Sequence, residues 1–223
     1  MIPERAATLA TSDGTALEGR LGLPQAPWGG IVISHPHPLY GGDMDNPVVI
    51  RVAEVCADLG LATLRFNFRG VGASTGAHGG GDAERDDVLA ALAYLARELP
   101  AGGPVVLAGY SFGAVVAAQV VGHGARVAGL ALIAPPLSMG GDAPFLPLAD
   151  GAAPLLIVVG SQDEYSPRSV LDGLASRLPR ARVRVVEGAN HFFFGKLFAL
   201  GEAVADWARE LEPRQAGRRG RPG

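Results

Sequence analysis

The chain has one cysteine, Cys56, in 223 residues. That excludes an internal disulfide framework and points to a small buried hydrophobe in a reducing compartment. The opening stretch MIPERAATLATSDG lacks an apolar signal core, and no uninterrupted apolar run of about 18 residues occurs anywhere. Neither a secretion signal nor a membrane span is expected, and a cytoplasmic location is. Charge is sparse, 18% of residues against 48% hydrophobic, so the chain reads as globular rather than disordered. The net charge of −3 hides four arginines (Arg214, Arg218, Arg219, Arg221) against one glutamate from Glu212 onward. The body before them is more acidic than the total, which argues against a nucleic-acid groove. Residues 212–223 are read as a flexible basic tail. With no internal repeat and no interdomain linker, residues 1–211 are read as one domain.

What is present is an alternation of strands and helices. Thr8 to Thr11 and Leu17 to Leu23 read as strands about a Ser12-Asp13-Gly14 turn. Gly30 to Ser34, Leu61 to Phe66, Val105 to Gly109, Val127 to Ala134, Leu155 to Val159 and Val183 to Val186 are apolar runs of buried-strand type. Helices are expected from Pro47 to Leu59, with Gly60 as its stop, and from an Asp82 cap to about Leu99. Further helices are expected after Ser111 to about Val121, from Pro167 to Leu178, and from Lys196 to Leu211. Repeated βα units imply a mainly parallel twisted sheet with helices on both faces and a ligand site beyond the strands' C-terminal ends. Between Ala134 and Leu155 the chain is short and holds Pro135, Pro136, Pro144, Pro147 and Pro154. Only a loop is expected there, with no cap domain.

Gly109-Tyr110-Ser111-Phe112-Gly113 ends one of those strands and opens an Ala/Val-rich helix. The pattern places a serine hydroxyl on a sharp strand-to-helix turn, where glycines avoid collisions that a side chain would cause. Serine needs a positioned base, and the base needs an orienting group. Of the five histidines, His123 sits in a surface turn, His78 in the Gly-rich loop 68–81, and His35 and His37 after an earlier strand. His191 remains, in a strand-end loop on the same rim as Ser111. Asp163 leaves another strand end in Gly160-Ser161-Gln162-Asp163, whereas neighbouring Glu164 would point elsewhere. These three are the expected catalytic residues. Backbone donors for an oxyanion are expected at Phe112 and in the loop Ser34 to Gly42. Pro36 and Pro38 have no N–H, which leaves His37, with Leu39 and Tyr40 as alternatives. His35-x-His37 lacks a third ligand of suitable spacing, so no metal is expected there. Tyr40, Tyr110, Phe112 and Phe192-Phe193-Phe194 are candidates either for an acyl pocket or for core. Arg69 either meets an acidic substrate or holds its loop by a salt bridge.

The segments HPHPLYGGDMDN, FNFRGVGAS, GYSFGA and NHFFFGKL, in this order, resemble a compact bacterial group of α/β-hydrolases, a group of esterase-like and dienelactone-hydrolase-like proteins. The resemblance runs from about Thr8 to Leu211. It implies an α/β-hydrolase fold, a triad of Ser111, His191 and Asp163, and carboxylesterase-type activity. Dienelactone hydrolases proper carry cysteine at the elbow, and the serine here departs from that pattern. The expectation is a cofactor-free serine esterase for small short-acyl or aryl esters, with no nucleic-acid or membrane partner, acting as a monomer or homodimer. A thioesterase, a small-peptide hydrolase and a non-catalytic ligand-binding relative are the alternatives.

Overall fold

A computed structural model describes residues 2–100 and 102–213. The strands β1 (Glu4–Ala10) and β2 (Ala16–Gly22) form an antiparallel hairpin. β3 (Gly29–Ser34), α1 (Pro47–Asp58), β4 (Leu61–Phe66), α2 (Glu84–Glu98), β5 (Val105–Tyr110) and α3 (Phe112–Gly122) follow. The chain continues through β6 (Gly129–Ile133), α4 (Leu137–Gly140), β7 (Leu155–Gly160), α5 (Arg168–Arg177), β8 (Ala181–Val186) and α6 (Leu197–Leu211). The eight strands form one sheet in the order β1-β2-β4-β3-β5-β6-β7-β8, antiparallel only at the β1/β2 and β2/β4 pairings.

The central strands are apolar on both sides because both faces are covered. In β3, Val32 joins the core beneath α2, α3 and α5, whereas Ile31 and Ile33 point to α1 and α6. β7 repeats this alternation, with Ile157 and Val159 on the first face and Leu156 and Val158 on the second. The period-two geometry of a strand thus feeds two separate cores from one apolar run. Cys56 is fully buried in the second core, where burial pushes its thiol up to about 12.

Element ends follow local chemistry. Asn46 caps α1 by accepting from Val48 N–H at 2.9 Å, and Pro47 occupies the first helical position, where no N–H is missed. The Asp82 cap is not formed: α2 starts at Glu84 with Ala83 as its uncapped boundary. Glu84 instead turns its buried carboxylate back to the N–H groups of Gly79 and Gly81, at 2.8 and 2.7 Å. The segment expected as plain loop between β6 and β7 contains the single turn α4 and a 3₁₀ turn at Leu146–Asp150, and no cap domain. The helix α6 ends at Leu211 as expected, while the basic tail lies outside the described residues from position 214 onward. Among the described residues no helix is long and apolar enough to cross a membrane.

The topology also creates the crevice. After β3 the chain enters α1 on one face of the sheet, and after β5 it enters α3 on the other. Adjacent parallel strands whose connections depart to opposite faces leave an opening at their C-terminal ends. The loop after β3 and the turn after β5 therefore face each other.

Candidate active site

Ser111 sits at the end of β5 with φ 55° and ψ −115°, a conformation costly for a residue with a Cβ, by about 1–3 kcal/mol. It is held there on both sides. Its N–H donates to the Ile133 carbonyl at 2.8 Å, and its own carbonyl begins the hydrogen bonding of α3. At Gly113, a Cβ would lie 2.5 Å from the Ser34 carbonyl oxygen and 2.7 Å from that of His35, all backbone. Only glycine lets α3 approach β3 this closely. At Gly109, a Cβ would strike the Gly113 backbone across the turn. Ala134 (φ 43°) and Phe193 (φ 52°) are the other non-glycine residues at positive φ among those described, and both lie on loops at this rim.

Ser111 Oγ is 3.0 Å from His191 Nε2. On the far side of that ring, Nδ1 is 3.0 Å from both Oδ1 and Oδ2 of Asp163. Asp163 is almost wholly buried, and its Oδ1 also accepts from Tyr165 N–H at 2.9 Å and Ser166 N–H at 3.2 Å. The carboxylate is thus fixed before it meets the imidazole. His191 is fixed too: its carbonyl accepts from the Tyr110 hydroxyl at 3.0 Å, and Asn190 Oδ1 accepts from Phe192 N–H at 3.1 Å. Burial, with Asp163 nearby, pushes the Tyr110 phenol up, so it remains a donor. Serine, histidine and aspartate from three separate loops come together, and Glu164 is exposed to solvent.

In the loop after β3, two of the three candidate backbone donors are already engaged. Leu39 N–H is taken by His37 Nδ1 at 3.2 Å, and Tyr40 N–H by the His37 carbonyl at 3.1 Å. Among the described residues no acceptor pairs with the N–H of His37 or of Phe112. Their rings lie 4.8 Å apart, centroid to centroid. His35, by contrast, is spent on structure. Its Nδ1–H donates to the Pro36 carbonyl at 2.6 Å, and its Nε2 accepts from Phe68 N–H at 3.0 Å. Burial lowers its pKa to about 4 against the opposing Pro36 carbonyl, so it stays neutral near neutrality. No group of three or more His, Cys, Asp or Glu suited to a metal occurs among the described residues.

The aromatic candidates divide. Tyr110 and Phe193 are fully buried core, while Tyr40, Phe192 and Phe194 are exposed and Phe112 is half-buried beside His37. Arg69 holds its loop: Nε and Nη2 bind Asp87 Oδ1 at 2.9 and 2.7 Å, and Nη1 binds Asp13 at 2.9 Å. Sequence reasoning left His78 unassigned. Its ring meets Phe112 edge-on (5.5 Å) and lies tilted against His37 (5.0 Å), and Nδ1 approaches Glu84 Oε1 at 2.8 Å, out of line for a hydrogen bond. Burial pushes the Glu84 carboxyl up, but the Gly79 and Gly81 donors outweigh it and hold it below its usual value. The only signal in the sequence was an acidic residue shortly after a glycine run. A groove of about 360 Å³ between α1 and α6, lined by Arg51, Val55, Phe198, Glu202 and Arg209, includes none of the serine, histidine or aspartate above.

The chain is similar to known proteins over most of its length. A family model described as an alpha/beta hydrolase domain matches residues 32–199. An uncharacterized protein of Rickettsia prowazekii is 33% identical over 198 residues, covering 86% of this chain and 83% of its own. An alpha-beta serine hydrolase homologue from Coxiella burnetii superposes with a TM-score of 0.83 at 35% identity, over 92% of this chain and 97% of that one. A Xanthomonas campestris a/b serine hydrolase described as without lid gives 0.84 at 29% identity, over 96% and 99% of the two chains.

Proposed function

The chain is a hydrolase of the alpha/beta hydrolase family, and from that premise we propose that it is a serine carboxylesterase for small esters, working through an acyl-serine. The observation that carries the reading is the 3.0 Å contact between Ser111 Oγ and His191 Nε2, continued to Asp163 on the other ring nitrogen. In the proposed reaction Nε2 removes the Oγ proton as Oγ attacks the ester carbonyl carbon. Asp163 keeps the Nδ1–H tautomer in place and stabilises the imidazolium that forms. The carbonyl electrons move to oxygen, and the N–H groups of Phe112 and His37 bind that oxyanion. Each such donor is worth about 10²–10³ in rate.

Collapse breaks the bond to the alcohol oxygen, which takes the proton from His191 Nε2–H and departs. A water then enters; His191 accepts its proton, and the hydroxide oxygen adds to the acyl carbon. The second collapse releases the carboxylic acid, and Oγ recovers its proton from the imidazolium. The net change is ester plus water to acid plus alcohol. In this scheme His191 accepts and returns each proton, the backbone N–H groups only hold the oxyanion, and no cofactor enters. Small soluble esters suit a crevice beside which the 134–154 segment adds no more than a single helical turn and a 3₁₀ turn.

Steady-state hydrolysis of p-nitrophenyl acetate, of its thioester counterpart and of a small peptide anilide tests this reading. Fastest turnover of the oxygen ester, lost by about 10⁴ or more in Ser111→Ala, is the expected result. Faster turnover of the thioester or anilide, or full activity in Ser111→Ala, overturns it.

A further inference from the structure

Phe192 and Phe194 are large apolar side chains standing in water, 50% and 74% exposed. They are not loosely held. Between them Phe193 turns at φ 52° to bury its ring completely, and Asn190 Oδ1 accepts from the N–H groups of both flanking residues, at 3.1 and 3.4 Å. The two exposed rings consequently lie face to face, 5.4 Å apart and 23° from parallel. Phe192 also meets the His191 imidazole edge-on at 5.5 Å and 87°, and Tyr165 packs on the same imidazole at 4.6 Å. A rigid turn that presents aromatic surface to solvent forfeits the gain from burying it, so such a patch marks a surface that is covered in use.

We propose that Phe192 and Phe194 form a platform for an aromatic alcohol portion of the substrate, making the preferred substrates aryl esters. This deepens, and rests on, the esterase reading above. The side of the site follows from the chemistry. His191 Nε2 must protonate the departing oxygen, so the alcohol portion of the ester passes beside the imidazole, and Phe192 is the exposed ring in edge contact with it. The acyl portion faces the other wall, where the Phe112, His37 and Tyr40 rings cluster. Phe192 and Phe194 carry no charge, which suits an uncharged planar ring. An offset-stacked or edge-on aromatic pair gains about 0.5–1.5 kcal/mol beyond its buried area, which a flat phenol ring collects and an alkyl alcohol does not.

The test compares phenyl acetate with ethyl acetate for the full chain, Phe194→Ala and Phe192→Leu. The expected result is that Phe194→Ala lowers kcat/KM by about tenfold on phenyl acetate and by about twofold or less on ethyl acetate, mostly through KM. Phe192→Leu, which keeps apolar bulk but no ring, should show the same selective loss. Equal losses on both esters, or none on either, overturn the platform. A companion measurement needs no turnover: saturation-transfer NMR on Ser111→Ala should detect phenol but not cyclohexanol, and lose the phenol signal when Phe194→Ala is added. Phenol binding in a chain that hydrolyses no ester would sink the esterase reading alone, whereas ester hydrolysis without phenol preference would sink the platform alone. Sedimentation of the full chain and of Phe194→Ala completes the set. A dimer that dissociates with the substitution would assign the patch to a second copy and overturn the substrate reading.

Discussion

Replacing Asp163 by asparagine removes one negative charge and turns one carboxylate oxygen into an NH₂ donor at nearly constant shape. Asp163 Oδ1 accepts two backbone N–H groups, from Tyr165 at 2.9 Å and Ser166 at 3.2 Å. An asparagine oxygen must take that position, because an NH₂ group there would face two donors. Its NH₂ then replaces Oδ2, which lies 3.0 Å from His191 Nδ1. Oδ1 is also 3.0 Å from Nδ1 but already accepts two backbone N–H groups, so the new donor favours an accepting Nδ1, with the ring's hydrogen on Nε2 and pointing at Ser111 Oγ. An imidazole protonated on Nε2 cannot accept the serine proton. The corresponding tautomer block in other Ser-His-Asp enzymes lowers kcat by about 10⁴, or roughly 5 kcal/mol in activation free energy. The fold keeps its two backbone hydrogen bonds, so the melting temperature should move by less than about 4 °C. Stopped-flow hydrolysis of p-nitrophenyl acetate, paired with a thermal melt, reads both quantities. An Asp163→Asn variant that stays folded and retains kcat within about tenfold of the parent would refute the reasoning.

Further consequences follow from other contacts. In Gly113→Ala the new methyl would meet the Ser34 and His35 carbonyls at 2.5 and 2.7 Å, pushing α3 off β3 and Phe112 N–H away from His37. The cost should be about 1–3 kcal/mol in stability with about 10²–10³ lost in kcat, and full activity would contradict the account. His35 titrates near 4 when folded, because burial lowers it from the usual 6.5. The unfolded chain takes up that proton first, so this contribution is intact above pH 6.5 and is lost as pH falls toward 4. Urea unfolding at about pH 7 and pH 4.5 should therefore show the parent losing roughly 2–3 kcal/mol more than His35→Gln. Equal losses would refute that assignment. Arg69→Met leaves the fully buried Asp87 without its guanidinium and should cost about 3–5 kcal/mol by chemical denaturation, largely recovered in Arg69→Met/Asp87→Leu. A single variant as stable as the parent would show the pair to be dispensable.

The serine turn was legible in the sequence because its requirements are local: two glycines, a preceding apolar strand and a small-residue helix. His191 and Asp163 were legible for a related reason. In an alternating β/α chain every strand-end loop reaches the same rim, so linear position substitutes for a distance. What stayed hidden depends on pairing between residues remote along the chain. Nothing local announces that the Tyr110 hydroxyl supports the His191 carbonyl, or that His35 binds Phe68 N–H. Asp82 looked like a helix cap by type and position, but the buried Glu84 captured the two free glycine donors and the helix begins at Glu84 itself. The run of three phenylalanines could not be divided by composition. A single positive φ at Phe193 sends its ring into the core and its neighbours' rings to solvent.

The central claim is that Ser111 becomes acylated. The most direct measurement is peptide mass spectrometry after acid quench of a p-nitrophenyl acetate reaction, read on the peptide containing Ser111. The account predicts an acetyl group on Ser111 that vanishes in Ser111→Ala and persists when His191→Ala slows deacylation of a chemically loaded enzyme. An active enzyme that carries its acetyl group on another residue, or none under conditions that slow deacylation, would contradict it.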